Sequence, residues 1–82
     1  MSKTLLLEVV SPERKIFGRD VRMIIARATT GELGILPGHF PLVALLDARP
    51  VRILNDEGEQ QIIITGGIML VKPEMVTILT DP

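Results

Sequence analysis

The sequence predicts an all-β fold, a sandwich or barrel of antiparallel strands formed by a single domain. Short runs rich in Leu, Ile and Val recur at intervals of about 8–12 residues, and turn-forming residues separate them. No segment keeps the apolar spacing of a helix for three turns before a Pro or Gly interrupts it. The length of 82 residues suits one domain.

Six strands are predicted from these runs. In chain order they are Thr4–Val10, Val21–Ala28, Val51–Leu54, Gln61–Thr65, Ile68–Lys72 and Val76–Thr80. The stretch between the first two contains Pro12 and Gly18 and is interpreted as a turn region. The apolar segment Phe40–Asp47 fits either one helical turn or an extended strand, and we interpret it as extended.

Three turns are predicted between the strands. Asn55–Gly58 is typical of a hairpin loop in which Gly58 supplies a positive φ. Lys72–Glu74 contains a Pro that presets φ at an early turn position. The pair Gly66 and Gly67 indicates a sharp corner or a bulge.

Composition excludes several classes of partner. Nine Lys and Arg balance ten Asp and Glu, and Trp and Tyr are absent, which disfavours nucleic-acid binding. The longest uncharged stretch, Leu33–Leu46, is shorter than the ~20 residues of a membrane span. The start of the sequence lacks the features of a signal peptide, so the chain is expected to stay on the side of the membrane where it is made.

Hydrophobic residues make up 46% of the chain, which indicates either an apolar protein-binding patch or a core rich in aliphatic side chains.

Catalytic chemistry is not expected. His39 is the only imidazole and Cys is absent, so neither a two-His metal site nor a thiol nucleophile is available. Ser2 and Ser11 lie outside any Gly-x-Ser-x-Gly elbow. Gly31–Gly34 is not followed by the Gly-Lys-Ser/Thr of a phosphate-binding loop, and Thr65–Gly67 lacks the third glycine and the helix of such a motif. No catalytic residue, metal ligand or cofactor is predicted.

The segment Gly31–His39 is unusual because glycines and a proline fix its path while its side chains are largely apolar. An apolar loop needs something to pack against. It either folds back onto its own core or forms a protein-docking loop whose polar contacts are Glu32 and His39.

Several motifs resemble a known family. Val9–Glu13, Gly31–His39 with the following Pro41 and Leu42, Thr65–Gly67 and Val76–Leu79 occur in the order and spacing found in the epsilon subunit of F-type ATP synthases. The resemblance extends from Leu5 to Asp81, and the Gly31–His39 block is its most specific part.

The resemblance implies an antiparallel β-sandwich of two roughly five-stranded sheets, with residues 1–82 forming the N-terminal domain of such a subunit. It also implies a non-catalytic rotor subunit that binds the gamma subunit, rests on the c ring and helps couple ion flow to ATP synthesis or hydrolysis. The subunit would lie at the cytoplasmic face of the cell membrane as a peripheral part of the F1 sector. The alternative is a stand-alone β-domain that binds a peptide or a small ligand.

The resemblance also implies interface residues. Glu32 matches a position that faces the c ring, and Ser11, His39 and Ala44 match positions on the face turned to gamma. Phe40 departs from the family, which usually has a small residue there. Full members continue into a C-terminal helical pair that regulates hydrolysis and in some members binds ATP. The sequence given stops before that pair, either as a naturally short form or as a domain cut from a longer chain. We therefore expect these residues not to bind ATP, and micromolar affinity in a calorimetric titration would contradict this.

Overall fold

A computed structural model describes residues 3–81 of the chain. It contains nine strands, and no helix occurs within that range. The strands are β1 (Leu5–Val10), β2 (Lys15–Val21), β3 (Met23–Ala28), β4 (Gly31–Ile35), β5 (Leu42–Leu46), β6 (Val51–Asn55), β7 (Gly58–Ile62), β8 (Gly67–Val71) and β9 (Met75–Leu79). The all-β prediction is confirmed. Nothing helical in this part of the chain has the length and hydrophobicity needed to cross a membrane.

The strands form one curled sheet whose two halves pack as the layers of a sandwich. One layer has the order β2-β1-β9-β8-β5, and the other has the order β4-β3-β6-β7. The layers join at a single residue pair, Ala28 with Leu46. The structure therefore has one five-stranded and one four-stranded layer, close to the predicted sandwich.

The core lies between the two layers because alternate residues of each strand point inward. Leu5, Leu7 and Val9 of β1 are buried, and their neighbours in the sequence are not. The four-stranded layer contributes Ile24 and Ile53, which lie opposite each other on β3 and β6. No described side chain has a buried polar atom that lacks a hydrogen-bond partner. The interior is thus filled by aliphatic side chains from both layers.

One strand pair differs from the antiparallel pattern. Strands β1 and β9 pair in parallel, with Leu6 opposite Met75 and Val10 opposite Leu79. The backbone N–H of Leu6 donates to the carbonyl of Glu74 at 3.0 Å and extends this pairing. A parallel pair needs a long crossover, which here comprises all the strands between the first and the last.

Two strands were not expected from the sequence. The stretch interpreted as a turn region contains β2, an edge strand that pairs with β1 from Leu5–Val21 to Val10–Lys15, with a bulge near the latter pair. The block interpreted as a loop contains β4, which pairs with β3 from Ile24–Ile35 to Ala28–Gly31. Glycines and charged residues lower the strand propensity of both segments, and backbone pairing with a neighbouring strand overrides that propensity. The interpretation of Phe40–Asp47 as extended is confirmed by β5.

The predicted hairpin loop is confirmed, but the strand that follows it starts earlier in the chain than the sequence predicts. Asn55 pairs with Gly58, whose φ is +130°, so β7 starts at that glycine. The sequence placed this strand at Gln61–Thr65 because the apolar run there looked strand-like. Loop length instead sets the register of a hairpin, and β7 ends at Ile62.

Candidate protein-docking surface

The outer surface of the five-stranded layer carries a continuous row of exposed aliphatic side chains. Leu45 on β5 lies opposite Ile68 on β8, and Ile68 lies opposite Leu79 on β9. Val43, two residues before Leu45, is 70% exposed, and Leu45 is 59% exposed. We call Val43, Leu45, Ile68 and Leu79 the apolar face. Because the residues lie on three neighbouring strands, they form one patch rather than scattered exposed positions.

Two polar residues lie beside the apolar face on the side of β1, whose other outward-facing residues, Leu6 and Val10, are aliphatic and half-buried. Glu8 on β1 lies opposite Thr77 on β9, and the Glu8 carboxylate forms an ion pair with Lys15 at 2.7 Å. An apolar centre with a polar rim is the usual anatomy of a protein–protein interface. Complete burial of a fully exposed aliphatic side chain is favourable by about 1.5–3 kcal/mol, and Val43 and Leu45, which are the most exposed of the four, have most to gain. The apolar face is therefore a candidate docking surface.

A groove of about 490 Å³ lies at one end of the apolar face. It includes Ile68 and Leu79 from the face, together with Ser11 and Gly66 from the neighbouring turns and Gly67 at the start of β8. The Thr80 hydroxyl donates to the Gly66 carbonyl at 2.6 Å, and the Thr65 hydroxyl donates to the carbonyl of Asp81 at 2.8 Å. These bonds fix the corner, so the groove has a rigid wall.

The structure places Ser11 and His39 at opposite ends of the five-stranded layer. Ser11 directly follows β1, whose last residue pairs with Leu79 at the end of β9. The turn that contains His39 is tied to the other end, because the N–H of Gly38 donates to the carbonyl of Pro73, just before β9 starts. The two residues are therefore not neighbours, and they lie at opposite ends of the layer that carries the apolar face.

Each of these two residues also has a local structural role. The N–H and the hydroxyl of Ser11 both donate to the carbonyl of Arg14, at 2.9 and 3.2 Å, and close the turn between β1 and β2. The Nδ1 atom of His39 lies 2.7 Å from the Phe40 carbonyl, and its ring stacks on Phe40 with a centroid distance of 4.8 Å. A carbonyl oxygen only accepts, so this bond requires the proton on Nδ1.

Ala44 lies on the inward side of β5. It pairs with the buried Met69 and packs against the core, while Val43 and Leu45 on either side point outward. Glu32 lies elsewhere, on β4 opposite Arg27, and is exposed on the outer surface of the four-stranded layer. The four residues singled out from the sequence are thus not brought together in one cluster.

The sequence did not single out the residues of the apolar face. Their signal is the alternation within each strand, in which every second residue is exposed. In β5 both phases of that alternation are apolar, since the strand reads Leu-Val-Ala-Leu-Leu. The pattern therefore marks a strand without telling which side faces solvent.

The outer surface of the four-stranded layer carries more charge, beside the half-buried Met23, Ile25 and Leu54. Arg52 on β6 donates from Nε and Nη2 to the two carboxylate oxygens of Glu59 on β7, both at 2.8 Å. These hydrogen bonds lower the pKa of Glu59 from its ordinary value of 4.5 to about 2. The same hydrogen bonds raise the pKa of Arg52. Residues 3–81 offer no cluster of three or more His, Asp or Glu side chains that would hold a metal ion.

The Glu59 carboxylate predicts a specific pH dependence of stability. Because its pKa is lower in the folded chain, its contribution is fully present above its unfolded value and is lost as pH falls from about 4.5 towards about 2. We expect the stability difference between the wild-type chain and Glu59→Gln to shrink over that range in urea titrations followed by far-UV circular dichroism. Glu13→Gln, which removes an exposed carboxylate without an ion pair to the described residues, is the control. A difference that stays constant with pH would contradict the assignment.

Comparison with known proteins identifies relatives along almost the whole chain. Residues 4–82 match the family described as the ATP synthase delta/epsilon chain β-sandwich domain. The ATP synthase epsilon chain of Acinetobacter baumannii strain ATCC 17978 is 46% identical over 79 residues, which cover 95% of this chain and 57% of the relative. The epsilon chain of Alkalihalophilus pseudofirmus is 44% identical over 78 residues, which cover 95% of this chain and 59% of the relative. The chain therefore spans less than two thirds of the length of these curated relatives.

Solved structures show the same fold. A chain in the cryo-EM structure of the Euglena gracilis mitochondrial ATP synthase, comprising OSCP, F1 and the c ring, superimposes with a TM-score of 0.88 at 27% identity. The match covers 96% of this chain and 51% of that one. A chain in the central stalk and c-ring structure of the Tetrahymena thermophila mitochondrial ATP synthase has a TM-score of 0.74 at 17% identity. The match covers 99% of this chain and 66% of that one. At that identity the second match shows the fold alone.

Proposed function

The chain belongs to the ATP synthase delta/epsilon β-sandwich family, and on this premise we propose that it is a non-catalytic central-stalk domain that docks to the gamma subunit and the c ring. The apolar face is the observation that carries the proposal. A rotor component needs a surface that stays attached while torque passes through it. Exposed ion pairs contribute only about 0–1 kcal/mol each, so apolar burial must supply most of the attachment.

The gamma subunit is the partner proposed for the apolar face. Ser11 and His39 lie at the two ends of that layer, which supports a role for both at the margins of one extended interface. Ala44 would act indirectly, because its small side chain lets β5 pack closely on the core and present Val43 and Leu45 to the partner. A stable interface of this kind buries at least about 1,000 Å².

Replacing Leu45 by Glu should weaken binding to gamma about tenfold or more, since a buried charge without a partner is unfavourable. Co-purification with a tagged gamma subunit from the same complex measures the effect. Ile63→Glu is the matched control, because Ile63 is 75% exposed and lies outside the apolar face, between β7 and β8. Equal retention of the two variants would argue against this face, and loss of the wild-type complex would favour a stand-alone binding domain.

The c ring is the partner proposed for Glu32. An exposed carboxylate on a short, well-paired strand is suited to a basic side chain on a polar loop of the ring. We expect Glu32→Lys to loosen attachment to c-ring membranes more than attachment to gamma, with the difference decreasing at raised salt. Sedimentation of the complex with membranes measures it, and the variant Glu74→Lys, on the turn before β9, controls for the change of charge. Identical release of both variants would count against Glu32.

In the assembled enzyme the domain would transmit torque at the cytoplasmic face of the membrane. Rigidity of the sandwich suits that task, because a filled aliphatic core deforms little. Weaker docking should therefore uncouple hydrolysis from ion pumping. A Leu45→Glu enzyme is expected to hydrolyse ATP with reduced ion pumping into membrane vesicles. Normal pumping with this variant would contradict a coupling role for the apolar face.

A further inference from the structure

A small groove on the charged outer surface of the four-stranded layer brings three arginines together. It measures about 180 Å³ and lies between the β3–β4 hairpin and the start of β6. We call it the arginine groove, and the side chains that concern its chemistry are Arg27, Arg49, Arg52, Glu32 and Gln61. It lies outside the apolar face, and the contact proposed between Glu32 and the c ring does not account for its arginines.

The three guanidinium groups differ in their partners. Arg52 uses Nε and Nη2 for Glu59, which holds its side chain in place. Neither Arg27 nor Arg49 has a carboxylate oxygen of residues 3–81 within 4.0 Å. Glu32 lies opposite Arg27 on the neighbouring strand without forming such a pair. Arg27 and Arg49, which both line the groove, therefore have no carboxylate partner among the described residues that would compete with a ligand.

The size and donors of the groove define the ligand. Pockets that enclose a cofactor-sized ligand measure about 300–1,000 Å³, so this groove suits a single oxyanion group rather than a whole nucleotide. A guanidinium presents a planar fork of N–H donors that matches phosphate oxygens. The Gln61 amide also lines the groove, and one of its N–H groups donates to Glu59 at 3.5 Å, which leaves the other. Chloride has no such geometry and would gain only from charge.

We propose that the arginine groove binds a phosphoryl group, either free phosphate or the headgroup of an anionic lipid, and that Glu32 acts as an internal competitor for its arginines. Glu32 lines the same groove. The pKa of Arg52 is raised mainly by its hydrogen bond with Glu59, and the negative charge of Glu32 raises it further. Removing that carboxylate should favour an incoming anion. Removing a guanidinium should disfavour it.

Titration of the chain with inorganic phosphate, followed by ¹H–¹⁵N NMR at constant ionic strength, tests the proposal. We expect shifts in amides of β3, β4 and β6 with a dissociation constant of the order of millimolar. Arg49→Gln should weaken binding about twofold to fivefold and Glu32→Gln should strengthen it by a similar factor, as single exposed ion pairs do. Arg14→Gln, an exposed arginine in the turn between β1 and β2, is the matched control.

Three results would overturn the proposal. The first is that chloride at the same ionic strength produces the same shifts. The second is that Arg14→Gln weakens binding as much as Arg49→Gln does, and the third is that Glu32→Gln leaves binding unchanged. Flotation with phosphatidylglycerol vesicles, compared with phosphatidylcholine, distinguishes the two sources. If the chain binds the phosphatidylglycerol vesicles and Arg49→Gln reduces that binding, the ligand is a lipid headgroup. If the chain binds phosphate but not the vesicles, the ligand is the free anion. Because these measurements use the chain without gamma or the c ring, their failure is separate from a failure of stalk docking.

Discussion

Replacing Gly67 by Ala is expected to destabilise the chain by at least about 3 kcal/mol, because two separate costs coincide at this position. The φ of Gly67 is +146°, a conformation that an L side chain adopts only under strain. A Cβ atom there would overlap the Leu79 carbonyl oxygen and lie 3.2 Å from the Cα of Thr80. Both neighbours are backbone atoms of the strand β9 and its end, so they cannot move without breaking its pairing.

Gly31→Ala separates the two costs. Its φ is +137°, but nothing lies within 4 Å of the added Cβ. This variant should lose only the strain energy, about 1–3 kcal/mol. The free energy of unfolding, measured in urea by far-UV circular dichroism, compares the two variants; the method suits a chain without Trp or Tyr. Equal destabilisation by both alanines would show that the contact with Leu79 is unimportant.

Replacing Ile24 by Ala should lower the free energy of unfolding by about 2–5 kcal/mol. Ile24 is fully buried in β3, between Ile35 on β4 and Ile53 on β6, so its side chain fills the centre of the four-stranded layer. Truncation removes buried apolar surface and leaves a cavity in the single core between the two layers. A domain of this size has a stability of only about 4–12 kcal/mol, so this single change uses a large part of it.

Ile63→Ala is the matched control, since it makes the same chemical change at a side chain that is 75% exposed. We expect a change below about 0.5 kcal/mol. Thermal unfolding followed by circular dichroism measures both variants under the same conditions. A cost at Ile24 as small as that at Ile63 would mean that the layers do not pack around it as described.

The surface predictions depend on the same alternation that defines the core. In β3 Ile24 is buried and Ile25 is partly exposed, although the two are chemically identical neighbours. On β5 the same rule places Ala44 inward and Leu45 outward. The candidate interface residue Ala44 was taken from a resemblance, which transfers a position along the chain and carries no information on which way that residue points.

The sequence by itself determined the all-β class, the two hairpin turns at Asn55–Gly58 and Lys72–Glu74, and the corner at Gly66 and Gly67. Each depends on local chemistry, namely strand-forming side chains and residues that tolerate or fix a particular φ. The family also followed from sequence, because the Gly31–His39 block is long and specific. These features need no knowledge of which strands become neighbours.

Only the tertiary structure decided the edge strands β2 and β4, the parallel pairing of β1 with β9, and the apolar face. Pairing between segments distant in sequence is set by the packing of the whole chain, so weak local propensity at Gly18 or Gly34 did not prevent a strand. Where both sides of a strand are apolar, only the opposing layer determines which side becomes core. The side left over is the surface through which we propose that the domain is held in the stalk.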